Sequence, residues 1–228
     1  MRVALAAGTV AAGAWTVPAL APLTPLVSRP LAIRTTIERG VALTFDDGPH
    51  PQGTPAILEI LAAANVHATF FLVGEQVLRS PTVAAEIVAA GHAVAVHGHR
   101  HRNLLRISPA GVASDLDRAH AVIADVTGQA ANVHRPPYGI YSWPALNNVR
   151  ARGWTPTLWS RWGRDWTRRA TAHSIASTVA DGVRDGDVLL LHDADDYSAP
   201  GSWRATAAAL PRVLEAVASA GLDFAQLD

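Results

Sequence analysis

The chain of 228 residues contains no cysteine and few charged residues, and these absences limit what the protein can be. Without cysteine it has neither disulfides nor a thiolate metal site, so any metal must be held by histidine and carboxylate side chains. Only 17% of the residues are charged, and 19 basic residues balance 19 acidic ones. Because no net positive charge attracts nucleic acid, we expect no nucleic-acid partner. We also expect the protein to be a monomer.

The beginning of the chain is uncharged over residues 3–27, a length sufficient in principle to span a bilayer. Three interpretations of residues 1–30 remain open: a secretory signal, a membrane anchor, or an apolar arm packed on the rest of the protein. Three prolines weaken a straight helix in its second half: Pro18, Pro22 and Pro25. We expect export or membrane association through this segment, followed by a single domain over residues 38–228.

Short apolar runs alternate with helical patterns over the rest of the chain. The runs that predict strands are 41–45, 68–74, 93–96, 132–135, 155–160, 187–191 and 222–227. The patterns that predict helices are 54–64, 80–91, 108–128, 145–152, 173–183 and 205–220, the last of them opening near Pro211. About seven β/α units predict one α/β domain with a parallel sheet, either a barrel or an open doubly wound sheet.

Polar clusters follow five of the predicted strands. They are DDGPH (46–50), HGHRH (97–101), RPPYG (135–139), WSRWGRDW (159–166) and LHDADD (191–196). Functional groups of parallel α/β proteins lie at the carboxyl ends of the strands. The five clusters are therefore predicted to meet at one active edge, with the loop after residue 193 beside them.

The cluster HGHRH contains three histidines. If the chain makes a helical turn, His97 and His101 lie on one side, as a two-histidine metal site requires. If the chain stays extended, His97, His99 and His101 share a face instead. Gly98 and the polar run after it favour the turn, so we expect His97 and His101 to act together without His99.

The adjacent carboxylates Asp46 and Asp47 repel each other unless a cation or a proton lies between them. The turn at Gly48 can bring both to the same edge, where one carboxylate and two histidines form a three-ligand set for zinc with an open position for water. The second carboxylate is then free to act as a base, and His192 is a candidate acid for a departing amine.

Two further charged residues, Arg135 and Asp165, are candidates for tuning this chemistry. An arginine beside the base keeps it charged, and a carboxylate beside His192 raises the pKa of that histidine. Either residue could equally form a structural ion pair.

The clusters, in this order, resemble the motifs of the polysaccharide deacetylase family, also called the NodB-homology or carbohydrate esterase family 4 domain. The matching segments are TFDDGP (44–49), HGHRHRNL (97–104), RPPYG (135–139), RDW (164–166) and LLLHD (189–193). The resemblance implies a distorted (β/α) barrel with about seven parallel strands. It also implies metal-dependent removal of acetyl groups from sugars.

The resemblance also assigns roles to residues. It implies that Asp46 is the catalytic base, oriented by Arg135, and that His192 is the general acid, tuned by Asp165. It implies a metal held by Asp47, His97 and His101, most often zinc, with cobalt, nickel or manganese as alternatives. The main chain of Tyr138 would face the oxyanion, while Trp166 and Leu190 would enclose the acetyl methyl group.

Two positions depart from the family pattern. The family often has Ser or Thr where this chain has Gly98, and an Asp where this chain has Trp162. The substrate groove is therefore expected to differ. The expected function is removal of acetyl from N-acetylated amino sugars of a peptidoglycan-like or chitin-like glycan, outside the cell or at its membrane. The alternatives are deacylation of an O-acetyl ester or a non-sugar amide, and carbohydrate binding without catalysis.

Overall fold

The architecture is an open, curled barrel of parallel strands with helices outside it, in a computed structural model that describes residues 15–227. Its strands are β1 Val41–Asp46, β2 Thr69–Leu72, β3 Ala93–Val96, β4 Val133–His134, β5 Thr155–Pro156, β6 Arg161–Trp162, β7 Val188–His192 and β8 Phe224–Ala225. Its α-helices are α1 Pro25–Ser28, α2 Gly53–Ala63, α3 Gly74–Arg79, α4 Pro81–Ala89, α5 Pro109–Thr127, α6 Trp143–Ala151, α7 Ala172–Ala180 and α8 Ser202–Ser219. Short 3₁₀ helices occupy Val17–Leu23, Leu104–Arg106 and Pro137–Gly139.

Strand β1 lies in the middle of the sheet, whose order is β5-β4-β3-β2-β1-β7-β6, with β8 pairing to the start of β1. All six residues of β1 are buried, which explains the continuous apolar run, because a parallel sheet is covered on both faces. The register pairs Asp46 with His192 of β7. The end of β1 therefore lies directly beside the end of β7.

The sheet remains open between β5 and β6, where the chain crosses from one edge to the other. We expected one strand over 155–160, but only its first two residues form a strand, β5, which pairs with β4. The next strand, β6, begins at Arg161 and pairs with β7. The segment before β1 lies against both sides of the opening. Arg34 bridges to Thr157, and Thr36 bridges to Asp187.

The helices confirm most of the predicted boundaries. In α5 the Ser108 hydroxyl accepts a hydrogen bond from the Gly111 N–H, and Gly128 ends the helix with a φ of 71°. Helix α3 was not predicted, because six residues are too few for an amphipathic pattern. The last helix begins at Ser202 and contains Pro211 in its interior, so the expected opening near Pro211 was wrong.

The described part of the N-terminal segment forms short turns, as its prolines predicted. Ala21 is buried in the main core, whereas several larger side chains of the segment are exposed. The expectation for residues 3–14 lies outside the described residues. No helix within residues 15–227 is both long enough and apolar enough to cross a membrane.

Candidate active site

The carboxyl ends of the strands surround a cavity of about 260 Å³. Eight of the ten residues proposed from the sequence line it: Asp46, Asp47, His97, His101, Tyr138, Trp166, Leu190 and His192. The other two, Arg135 and Asp165, are completely buried behind the cavity wall. The predicted active edge is therefore one contiguous site.

The two adjacent carboxylates both reach the cavity because the backbone changes direction between them. Strand β1 ends at Asp46, and Asp47 has a φ of 82°, a left-handed conformation that is uncommon for a residue other than glycine. In a continuing strand the two side chains would point to opposite faces. A conformation of this kind costs about 1–3 kcal/mol and is typical of functional sites.

Asp193, a buried carboxylate in the matching segment LLLHD, supports the turn at Asp47 and Gly48. The Thr54 hydroxyl donates a hydrogen bond to Asp193, which is fully buried. A side chain at Gly48 would overlap the Asp193 carboxylate, so only glycine fits there. Burial, together with the charge of Asp47, raises the pKa of Asp193 to about 7. No role for Asp193 was predicted from the sequence.

The segment 97–101 turns at Gly98, as its composition predicted. Gly98 has a φ of 93°, which would strain a Ser or Thr at this position. Asp115 of α5 holds the loop instead, accepting hydrogen bonds from the His99 N–H at 2.8 Å and from the Arg102 guanidinium at 2.7 Å. His97 and His101 consequently face the cavity, and His99 packs against Gly74.

Asp47, His97 and His101 offer one oxygen and two nitrogens within 4.8 Å of one another. Oδ1 of Asp47 lies 3.4 Å from Nε2 of His97 and 3.2 Å from Nε2 of His101. Nδ1–H of His97 donates to the Arg135 carbonyl at 2.9 Å, so Nε2 is the ring nitrogen that faces the carboxylate, and without a proton Nε2 is an acceptor as the carboxylate is. Two acceptors facing each other need a proton or a cation between them. The donor set is one that zinc prefers, so the residues fit a divalent metal.

The two nearby histidines also affect the ionisation of Asp47. Burial alone raises the pKa of Asp47, but its interactions with His101 and His97 outweigh burial and hold this pKa well below the usual range. Asp47 is therefore ionised throughout the physiological range, as a metal ligand must be.

Arg135 forms a buried ion pair with Asp46. Nη1 of Arg135 donates to Oδ1 of Asp46 at 2.6 Å and to the Thr44 hydroxyl at 2.9 Å, while Nη2 donates to the Leu158 carbonyl at 2.8 Å. The guanidinium also lies 3.9 Å from the ring centroid of Phe71. Oδ1 is thus occupied, and Oδ2, which lies 3.9 Å from Nε2 of His97, is left to the cavity.

His192 is paired with Asp165 in a similar way. Oδ1 of Asp165 lies 2.8 Å from Nδ1 of His192, and Oδ2 accepts hydrogen bonds from the His192 N–H and the Thr206 hydroxyl. Burial lowers the pKa of His192, but the charge of Asp165 and its hydrogen bond outweigh burial, with help from Asp47 and Asp46, and raise it to about 10. The ring is therefore a charged proton donor at neutral pH.

The remaining cavity wall is aromatic. Trp162 lies between Trp159 and Trp166, with ring centroids 5.6 Å and 5.1 Å away, and the Trp166 ring is 5.6 Å from His192. Trp162 thus extends an apolar surface to a position where the family often has a carboxylate. A Cβ at Gly139 would come within 2.5 Å of the Trp159 ring, and this explains the glycine beside Tyr138.

Two further cavity residues had no role predicted from the sequence, Ser198 and Tyr197. The Tyr197 ring stacks on His101, with centroids 4.2 Å apart and planes 12° apart. The acidic loop after β7 was recognised as part of the active edge, but no spacing rule shows which of its side chains reaches His101.

Comparisons with known proteins agree with this geometry. A family model described as Polysaccharide deacetylase matches residues 33–156. A chitooligosaccharide deacetylase of Bradyrhizobium sp. is 39% identical over 156 residues, which are 68% of this chain and 71% of that protein. A peptidoglycan-N-acetylglucosamine deacetylase, PgdA, of Listeria monocytogenes is 31% identical over 202 residues, or 89% of this chain and 41% of that protein. The crystal structure of the Bc1960 peptidoglycan N-acetylglucosamine deacetylase superposes with a TM-score of 0.82 and 28% identity, covering 90% of this chain and 95% of that one.

Proposed function

The chain belongs to the polysaccharide deacetylase family, and on that premise we propose that it hydrolyses the acetamide of N-acetylated amino sugars in a peptidoglycan-like or chitin-like glycan. The observation that carries this proposal is the grouping of a paired base, a three-ligand set and a paired acid around one small cavity. Each of the three has a distinct part in the hydrolysis of an amide.

Zinc is the proposed metal, with Asp47, His97 and His101 as its ligands. Cobalt, nickel and manganese are alternatives, because oxygen and imidazole ligands accept all of them. When bound, such an ion supplies a Lewis acid and lowers the pKa of a water molecule.

Asp46 is proposed as the base that accepts a proton from the attacking water. Arg135 holds Oδ1, so the proton goes to Oδ2, the oxygen near His97. His192 is proposed to give a proton from Nε2 to the departing amine, since its Nδ1 is engaged with Asp165. Asp46 thus takes up one proton from the water and His192 delivers another to the amine, as the hydrolysis of an amide requires.

The acetyl group is proposed to bind between Trp166 and Leu190, whose side chains line the cavity beside His192. The main-chain N–H of Tyr138 is the proposed donor to the developing oxyanion. Tyr138 has a φ of 61° and lies in the 3₁₀ turn Pro137–Gly139, next to the ligand His101.

An acetate-release panel tests the function. Purified protein loaded with zinc or cobalt should release acetate from N-acetylated chito-oligosaccharides or peptidoglycan, and His97→Ala should neither bind the metal nor release acetate. Release only from O-acetylated xylan or from a non-sugar acetamide would support the alternative substrates. Glycan binding without release from any substrate would support a carbohydrate-binding protein instead.

The His192–Asp165 pair predicts a specific pH dependence. Because the pKa of His192 is raised to about 10, the proton donor is present at neutral pH and is lost as the pH rises through that value. Asp165→Asn removes the neighbouring charge. The descending limb of the pH profile of kcat/KM should therefore shift to lower pH by about 1–3 units. Thr206→Val, which removes only a neutral hydrogen bond to Asp165, should move it less. A limb that stays in place in Asp165→Asn would contradict the assignment of His192 as the acid.

We also propose that the enzyme acts at the cell envelope, in contact with a membrane. Three exposed apolar side chains, Val17, Leu20 and Leu23, recur every three residues along a 3₁₀ helix and so share one face, and the exposed Leu26 follows in α1. A row of this kind is more than the scattered apolar residues of an ordinary surface, and the uncharged residues 3–14 precede it.

Vesicle flotation measures this membrane contact. The full chain should float with anionic phospholipid vesicles, and the triple change of Leu20, Leu23 and Leu26 to Ser should reduce the bound fraction without reducing acetate release. Equal flotation of the two proteins would exclude the exposed row as the contact surface.

A further inference from the structure

The two histidines of the proposed metal site are oriented in different ways. Nδ1–H of His97 donates to the Arg135 carbonyl, the usual outer contact of a metal-binding histidine. Within residues 15–227, the buried Nδ1 of His101 has no hydrogen-bond partner. No group of the described residues therefore fixes the plane of the His101 ring through a hydrogen bond at Nδ1.

Two aromatic rings enclose His101. Tyr197 stacks on one face at 4.2 Å, nearly parallel, and Tyr138 approaches with its ring centroid 4.5 Å away at an angle of 67°. Tyr138 is 57% exposed, and it is therefore the less constrained of the two. The nearly parallel Tyr197 ring restricts the rotation that would turn Nε2 of His101 away from Asp47.

Tyr197 is itself held rigidly. Its hydroxyl donates to Oε1 of Glu75 at 2.8 Å and accepts from Nε2 of Gln76 at 3.1 Å, and the Gln76 side chain is buried. Both partners belong to α3, the short helix that follows β2. The loop after β7 is thus fastened to α3 through the ring that covers His101.

A second contact of the same loop, between His50 and Asp195, strengthens this fastening, and these two residues do not form a metal site with Asp196. Nδ1 of His50 accepts hydrogen bonds from the N–H groups of Gly53 and Gln52, so the neutral ring carries its proton on Nε2. That Nε2–H faces Oδ1 of Asp195 at 3.2 Å as a donor. His50 therefore anchors the same loop that carries Tyr197.

We propose that Tyr197 is the positioning residue of the metal ligand His101, and that its stacked ring performs the task that a hydrogen bond performs for His97. The inference rests on the metal site of the proposed function and extends it to a loop outside the recognised motifs. It follows that metal affinity depends on how firmly the loop 193–201 is fastened.

Metal affinity measured by competition with a chromophoric chelator tests this role without using activity. Tyr197→Leu should weaken zinc binding by about 10–100-fold, the usual effect of losing an outer contact of a ligand. Tyr197→Phe keeps the stacked ring but loses the hydroxyl contacts with Glu75 and Gln76, so it should weaken zinc binding less than Tyr197→Leu does, because His50 still anchors the loop through Asp195. Asp196→Asn is the matched control in the same loop, because its pair with Arg79 at 3.8 Å is partly exposed and contributes little.

The outcomes separate this inference from the proposed function. The absorption spectrum of the cobalt form should change in Tyr197→Leu, because the His101 ring would no longer be held in one orientation, and should change less in Tyr197→Phe. A folded Tyr197→Leu protein with parental zinc affinity would overturn the inference while the deacetylase function stands. A parent that binds no divalent ion would overturn both.

Discussion

Asp46→Asn is expected to lower kcat for acetate release by about 10²–10⁴-fold, the usual contribution of a general base, while the protein still binds one zinc ion. Asparagine has nearly the same shape as aspartate and offers an oxygen to Arg135, but it cannot accept a proton from water. Because Asp46 is not one of the three proposed ligands, the loss should appear in kcat and not in metal content.

Two controls make this result interpretable. Asp125→Asn introduces the same chemical change on the exposed face of α5 and should leave kcat unchanged. Thermal unfolding must be recorded in parallel, since Asp46→Asn removes the counterion of a buried arginine. If folded, zinc-loaded Asp46→Asn retained more than a tenth of the parental kcat, a residue other than Asp46 would have to be the base.

Much of the fold could be predicted because local patterns and global architecture agree. The continuous apolar run of β1 and the capped, glycine-terminated α5 each follow from one rule. The gathering of polar clusters into one site was also predictable, since all parallel strands deliver their carboxyl ends to one edge. The turn at Gly98 followed from composition, and the structure brings His97 and His101 together.

The parts that could not be predicted depend on contacts between distant segments. The division of residues 155–162 into two strands depends on where the sheet opens, because β5 and β6 pair with different neighbours. The stacking of Tyr197 on His101 depends on anchors in α3, about 120 residues earlier. Neither feature leaves a periodic signal in the sequence, because periodicity reports only which face of an element is buried.

Arg135→Met is expected to reduce the free energy of unfolding by about 3–5 kcal/mol, the usual cost of removing one partner from a buried ion pair. Arg135 is completely buried and has hydrogen-bonded contacts with Asp46, Thr44 and Leu158. Methionine fills similar space against Phe71, so the main loss is the charge that compensates Asp46. Chemical denaturation of the metal-free protein measures the difference. Arg135→Lys keeps the positive charge but has fewer hydrogen-bond donors than arginine. It should therefore reduce the free energy of unfolding by less than Arg135→Met does.

The double variant Asp46→Asn/Arg135→Met separates the ion pair from the packing around it. Each single change leaves one buried charge without its partner, whereas the double change removes both charges. If the pair is coupled as its 2.6 Å contact indicates, the double variant should lose less stability than the sum of the two single losses, by about 1–3 kcal/mol. Strictly additive losses would mean that Arg135 stabilises the barrel through Leu158 and Phe71, and that Asp46 keeps its orientation without it. Coupled losses, together with a low kcat in Arg135→Met, would make Arg135 the residue that presents the base to the cavity.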